Sequence, residues 1–374
     1  MNRVVIIGGS VAGSTVASTL RDLGHDEEIL VVDAERHSYA RPSLSKAALR
    51  GEPVVDAAAH ELGITVLREE FAVAHDPERR TVTLAGGDLL PYDNLVIATG
   101  SRASRLAPGR DGEFVIRSLS DVETLRAGLA RARSVVVVGG GLLGMEIASA
   151  CRGLGLTVHL VFRSTPGLRS VGDYTARWLA AEAESHGVHL LRIDGPAELV
   201  GSPLIGVRTG PDRILAADVV ISAVGDVPNV EWTPLGVPGV GMPTNVDGLV
   251  APGVYAVGDA KAIQRSPGSV RDPHWYAAID GGRMAARAML GVPVVPPPAR
   301  YLWTECFGHH LKFAGSPVSG PPTRIEGDPD GAHTAVWERG NRTVFAVATD
   351  MRTPVSRLRG RIDSPSYEPE RLRS

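Results

Sequence analysis

The strongest constraint on this chain is a pattern that occurs twice. Val4 to Ile7 is a short β-branched run, Gly8-Gly9-Ser10-Val11-Ala12-Gly13 follows it, Ser14 to Leu23 has helical spacing, and Ile29 to Val32 is apolar again. The same order returns at Val135 to Val138, Gly139-Gly140-Gly141-Leu142-Leu143-Gly144, Met145 to Leu154 and Thr157 to Phe162. Each passage reads as strand, glycine turn, helix, strand. Two such βαβ units predict an α/β fold with two Rossmann-like domains and two dinucleotide-sized sites.

The physical reason for the pattern is specific. In Gly139-x-Gly141-x-x-Gly144 the first glycine allows a tight turn, the second admits a pyrophosphate to the backbone, and the third lets helix and strand pack closely. Leu142 and Leu143 then open a helix whose unpaired N–H groups and dipole favour an anion. The first unit is less regular, because Ser10 stands where the middle glycine is expected. Asp33, ending the next strand, is placed to take a ribose hydroxyl, with Glu35 the second choice.

Length and composition narrow the rest. A chain of 374 residues, 43% apolar and 22% charged, has room for two or three folded domains. A net charge of −3 with 5% aromatic residues argues against nucleic-acid binding. Cys151 and Cys306 are the only cysteines, which excludes a disulfide framework, a zinc site on Cys pairs and a C-x-x-C centre. No metal is expected, and a reducing cytoplasm is the expected compartment. The basic-then-apolar start is broken at Gly8-Gly9, unlike a signal peptide, and no apolar run is long enough to predict a membrane span. Only three of the 39 lysines and arginines are lysines, so Lys46 within a motif carries more weight than usual.

Further strands frame the sites. Leu95 to Ala98 ends at Thr99-Gly100, and Val219 to Val224 ends at Gly225; each is expected to stop near a cofactor. Gly253 to Asp259 is a strand delivering an acid after Gly258, a pattern that an ordinary helix-capping Asp would share. Pro293 to Pro298 marks a hinge, after which strand-like alternation at Arg300 to Phe313 and Thr343 to Thr349 suggests a C-terminal α+β domain.

Taken in order, Gly8 to Gly13, Tyr39-x-Arg41-Pro42-x-Leu44-Ser45-Lys46, Ala98-Thr99-Gly100, Gly139 to Gly144 with Glu146, and Gly258-Asp259 closely resemble the FAD-dependent ferredoxin reductases. These flavoproteins feed the iron–sulfur partners of cytochromes P450 and ring-hydroxylating dioxygenases. The resemblance extends through His274-Trp275 and Arg352-x-Pro354, nearly the whole chain. It implies an FAD domain at 1–107 and 226–297, an NAD(P) domain at 108–225, and a C-terminal domain at 298–374 covering the flavin. It further implies that the first βαβ unit and Asp259 hold FAD, that Arg41 and Lys46 approach the flavin, that Lys46 can pair with Glu146 near the nicotinamide, and that Trp275 packs near the flavin. The competing reading of Lys46 is a solvated loop lysine, and that of Trp275 a tryptophan buried at a domain seam. The acceptor implied is a ferredoxin-type iron–sulfur protein, with the chain a monomer or homodimer.

The departures are informative. Relatives usually end the strand of the second unit with an acid for the 2′-hydroxyl of NADH; here that position is Phe162, followed by Arg163 and, farther on, Arg169. Phenylalanine cannot accept a hydroxyl, whereas arginines can grip a 2′-phosphate, in a spacing similar to that of NADP-specific glutathione reductases. NADPH is therefore expected in preference to NADH. No cysteine lies within residues 33–50, unlike peroxidase and coenzyme A disulfide relatives. Cys151 reads as a packed apolar residue; Cys306 lies beside the segment that faces the flavin in the family. Arg352, Arg357, Arg359 and Arg361 form a basic run that could steer an acidic ferredoxin or be a solvated helix face. Changes at Ser10, Ser43, Phe162 and Gly281 leave room for a reductase or oxidase acting on a small molecule or oxygen, or for a non-enzymatic flavoprotein.

Overall fold

Consecutive Val and Ile with nothing polar between them suit a strand covered on both faces, and this is how the chain uses them. The computed structural model describes residues 3–54 and 63–362. Its described residues divide into two compact units, one within 1–40, 55–102 and 226–297, the other within 41–54, 103–225 and 298–374. The second therefore holds both the expected NAD(P) segment and the C-terminal segment, together with the stretch carrying Arg41 and Lys46.

In the first unit, β1 (Val4–Ile7), α1 (Val11–Asp22), β2 (Ile29–Asp33), β3 (Thr65–Arg68) and β4 (Asn94–Ile97) make the expected βαβ core. The six-stranded sheet runs Leu249–Ala251, Val254–Ala256, β4, β1, β2, β3. β1 is central and parallel to both neighbours. Its alternate side chains feed two cores, Val4 and Ile6 packing with Val16 and Leu20 of α1, and Val5 and Ile7 packing with Leu95 and Ile97. The Trp275–Met289 helix crosses α1 closely, since a Cβ at Gly282 would stand 2.9 Å from the Ala12 carbonyl oxygen.

The second unit repeats the arrangement with β5 (Ser134–Val138), α2 (Leu142–Gly153), β6 (Thr157–Phe162), α3 (Leu168–Ser185), β7 (Val188–Arg192) and β8 (Val219–Ser222). Here β5 is central, between β6 and β8. α3 is interrupted at Gly172, whose backbone is non-helical. The alternating stretch at Arg300 to Phe313 is two strands, Tyr301–Cys306 and His309–Gly315, because Phe307-Gly308 turns the chain back. They belong to a five-stranded antiparallel sheet completed by Arg342–Thr349, His333–Arg339 and Arg324–Gly327. No helix among the described residues is long and apolar enough to cross a membrane.

Candidate functional site

The two glycine turns are built alike down to single atoms. Gly8 has φ +110° and Gly139 φ +127°, a region that side chains rarely enter. A Cβ at Gly8 would fall under 3.0 Å from the carbonyl oxygen of Ala98, and one at Gly139 equally close to that of Ala223. Gly13 and Gly144 face the carbonyls of Gly8 and Gly139 in the same manner. The first glycine thus fits against the end of the neighbouring strand, and the third lets the helix approach the first.

In the first unit, Ser10 is the N-cap of α1 and its side chain makes no capping bond, so the first-turn amides are left to an incoming anion. Around this turn stand Ala98 and, tied to Asn229, Thr99 and Gly100: the Thr99 hydroxyl donates to the Asn229 carbonyl at 2.6 Å, and the Asn229 amide donates to the Gly100 carbonyl at 3.0 Å. Gly258 abuts α1, where its Cβ would meet that of Ala12 at 2.9 Å. This places Asp259, whose carboxylate accepts from the Ser101 hydroxyl at 3.5 Å, in the same neighbourhood. Trp275 begins its helix half-buried. Gly281 leaves open space where a side chain could stand.

Asp33 is engaged by a residue that the sequence alone did not single out. Its carboxylate lies 2.9 Å from the Arg68 guanidinium, which also donates to the Ser38 hydroxyl at 2.9 Å. Burial pushes the Asp33 carboxyl above its usual range, against the pull of the Glu35 amide, the Arg68 charge and the Gly9 amide. Glu35 accepts from the Tyr39 hydroxyl at 2.8 Å. The available signal for Arg68 was a charge closing an otherwise apolar strand. A shallow recess lined by Gly9, Ser14, Val31, Ser38, Val66 and Arg68 adjoins the pair.

In the second unit Gly141 caps α2 with no side chain to obstruct it. Leu142 and Leu143 open the helix, Leu143 exposed, and Gly225 has open space above it. Phe162 ends β6 with its Cβ 2.8 Å from where a Cβ at Gly140 would stand. This is the position that Asp33 holds against Gly9. The chain then folds back, the Gly167 amide donating to the Gly140 carbonyl at 2.7 Å. Arg163 and Arg169 flank that return, both exposed.

Lys46 is not a solvated loop lysine. It lies on a short π-helical turn, Leu44–Ala48, with its ammonium 2.8 Å from Glu146 Oε1 on α2 and donating to the Pro42 carbonyl at 3.0 Å. The Ser45 hydroxyl donates to the other Glu146 oxygen, and Thr304 donates to Oε1 at 2.7 Å. All four side chains are buried. Arg41, just before them, donates to the Arg117 carbonyl at 2.6 Å. Residues far apart in sequence thus converge on one buried ion pair; Ser45 and Thr304 could not be assigned to it from spacing.

The profile of the pyridine nucleotide-disulphide oxidoreductases matches residues 2–282. The chain belongs to that family. It is 32% identical over 376 residues to the probable ferredoxin reductase CtmF of Castellaniella defragrans, covering 93% of this chain and 90% of that protein. It is 32% identical over 355 residues to the ferredoxin–NAD(+) reductase component of the biphenyl dioxygenase system of Paraburkholderia xenovorans, covering 91% and 87%. The crystal structure of the ferredoxin reductase for the CYP199A2 system of Rhodopseudomonas palustris matches with a TM-score of 0.84 at 25% identity, over 94% of this chain and 91% of that one. The resemblance and the α/β architecture expected from the motifs are borne out. As a member of this oxidoreductase family the chain uses FAD and a nicotinamide nucleotide.

The family name refers to disulphide chemistry, but the two cysteines here are not arranged for it. Both are free and buried. Burial pushes the Cys151 thiol up to about 12, and burial followed by the Glu146 charge pushes Cys306 up to about 12, so neither thiol is a ready nucleophile. The basic run also divides. Arg359 is buried, donating to the Ala299 and Pro298 carbonyls, and Arg361 pairs with Glu326, whereas Arg352 and Arg357 are exposed.

Proposed function

We propose that this chain is a reductase taking hydride from NADPH and passing electrons, through FAD, to a ferredoxin-type iron–sulfur protein that serves a P450 or another oxygenase. The observation that carries the reading is the buried Lys46–Glu146 pair beside the second of two matching glycine turns. Sequence relatives that are ferredoxin reductases over nearly their full length support the acceptor.

The residues of the first unit fit an adenine dinucleotide. The turn leaves no room for Cβ atoms at Gly8 and Gly13, the α1 N-terminus offers amides to a diphosphate, and Asp259 offers a carboxylate. Ser10, Asp33, Glu35, Ala98, Thr99, Gly100 and Trp275 complete that seat in this reading, and Arg41 is proposed as a further FAD-binding residue. When bound, FAD supplies the conversion from a two-electron donor to one-electron acceptors. Gly139, Gly141, Leu142, Leu143, Gly144 and Gly225 form the nicotinamide nucleotide seat. Glu146 holds the Lys46 ammonium in a buried setting, and with FAD bound that cation would favour the anionic reduced flavin. Phe162, which cannot bond a ribose hydroxyl, with the exposed Arg163 and Arg169, supports a preference for NADPH.

The test uses purified flavoprotein. Cytochrome c reduction that depends on an added [2Fe–2S] ferredoxin supports the reading; equal rates without it favour a small-molecule or oxygen acceptor. A kcat/KM for NADH at or above that for NADPH would remove the nucleotide preference while leaving the acceptor reading intact.

A further inference from the structure

We propose that Arg192 is a third cation of the nicotinamide-nucleotide seat, acting with Arg163 and Arg169 on the 2′-phosphate of NADPH; the proposal rests on the NADPH preference inferred above. It comes from comparing the two glycine turns residue by residue. In each, the middle of the turn faces the last residue of the following strand: Gly9 faces Asp33, and Gly140 faces Phe162. In each, that residue has a register partner at the end of the next parallel strand. Asp33 stands opposite Arg68, and Phe162 stands opposite Arg192.

Register partners in adjacent parallel strands project to the same face of the sheet. The first unit shows what this position can reach, because the Arg68 guanidinium meets the Asp33 carboxylate at 2.9 Å. Arg192 has the same backbone placement, tied down by the Ile193 amide donating to the Phe162 carbonyl at 2.8 Å. What differs is the neighbour. Phenylalanine offers no acceptor, so the Arg192 charge is not taken up by the strand end. Its ion-pair partner is Asp194, 3.9 Å away, with side-chain exposures of 72% and 96%. Such a pair in water is weak and yields to a phosphate that offers several oxygens to a planar guanidinium. Arg163 follows Phe162 directly, and the Gly167–Gly140 hydrogen bond brings the Arg163 to Arg169 segment back to the turn. Arg163, Arg169 and Arg192 are thus all carried by backbone that adjoins or returns to the strand end, where an adenosine ribose lies in folds of this type. The sequence alone does not expose this relationship, because Arg192 is distant from the glycine motif and is related to it only through strand register.

The experiment uses the FAD-loaded full chain. Dissociation constants for 2′,5′-ADP and for 5′-AMP are measured by calorimetry for the wild type and for Arg192→Ala, Arg192→Lys and Arg163→Ala, alongside kcat/KM for NADPH and NADH with ferricyanide as acceptor. Arg192→Ala is expected to weaken 2′,5′-ADP about five- to tenfold, to leave 5′-AMP within about twofold, and to lower kcat/KM for NADPH through KM, with Arg192→Lys recovering part of the loss. Unchanged 2′,5′-ADP affinity in Arg192→Ala, with a loss in Arg163→Ala, would overturn the role of Arg192 and leave the NADPH preference standing. Equal weakening of both ligands would also overturn it, since the 2′-phosphate would not be what Arg192 recognises. If the wild type binds 2′,5′-ADP no more tightly than 5′-AMP, the NADPH preference itself falls, and this inference with it.

Discussion

The Lys46 ammonium lies 2.8 Å from Glu146 Oε1, with the two side chains only 9% and 8% exposed. Charges so deeply buried persist because each has the other, and because the Ser45 and Thr304 hydroxyls and the Pro42 carbonyl satisfy what remains. Removing one partner strands the other in a medium that solvates it poorly. Glu146→Gln, which keeps the shape and loses the charge, is expected to destabilise the fold by about 3–5 kcal/mol. Adding Lys46→Met should recover part of that loss. Chemical denaturation of the two single variants and the double variant checks this; additive losses would mean that the pair is not coupled.

The matching turns predict separable losses. Gly8→Ala and Gly139→Ala each place a Cβ against a backbone carbonyl at a φ that alanine rarely adopts. Strain of this kind weakens binding by about tenfold or more. Gly8→Ala is expected to lower the flavin content of the purified protein, read as absorbance per chain. Gly139→Ala should retain flavin and lose affinity for the nicotinamide nucleotide. Loss of flavin in both variants would contradict the assignment of the two turns to different nucleotides.

Much of this was legible in the sequence because the information was local. β-branched runs, glycine spacing and helical periodicity placed β1, α1, β5 and α2 within a few residues of where they lie, and the motif order identified the family. What escaped was non-local. Arg68 meets Asp33, and Thr304 meets Glu146, only because separate elements are brought side by side, and no spacing rule encodes that. The strand-like alternation at Arg300 to Phe313 does not reveal its reversal, which rests on Phe307 with φ +53° and which neither Asn nor a leading glycine announces. The basic run misleads for the same reason, since of four arginines close in sequence two face solvent, one is buried on backbone carbonyls and one is paired with Glu326.

Acid should weaken the C-terminal sheet through Asp350. Burial alone would raise its carboxyl, but the His310 amide and the His309 side chain, 2.7 Å away, hold it below the usual value of 3.8. A carboxyl whose folded pKa is depressed contributes stability that is present above its unfolded pKa and is lost as pH falls through the folded one. Asp350→Asn is therefore expected to lower Tm at pH 6 and to converge with the wild type as the pH falls below 3.8 and through the depressed folded pKa. A constant difference across that range, followed by calorimetry, would assign the effect to packing instead.

Steering of the acceptor should depend on the exposed members of the basic run alone. Arg352 and Arg357 face solvent, while Arg359 and Arg361 are committed to the Ala299 and Pro298 carbonyls and to Glu326. Exposed charges attract an acidic partner over roughly 10 Å and are screened by salt. The rate of ferredoxin reduction at limiting ferredoxin is accordingly expected to fall several-fold between about 50 and 500 mM salt. In the Arg352→Ala/Arg357→Ala double variant that dependence should flatten while ferricyanide reduction stays unchanged. Arg359→Ala should behave differently, lowering Tm because the Ala299 and Pro298 carbonyls lose the donor that the buried guanidinium supplies, with little effect on the salt dependence. A salt dependence that survives the double variant would place the acceptor on another face of the protein.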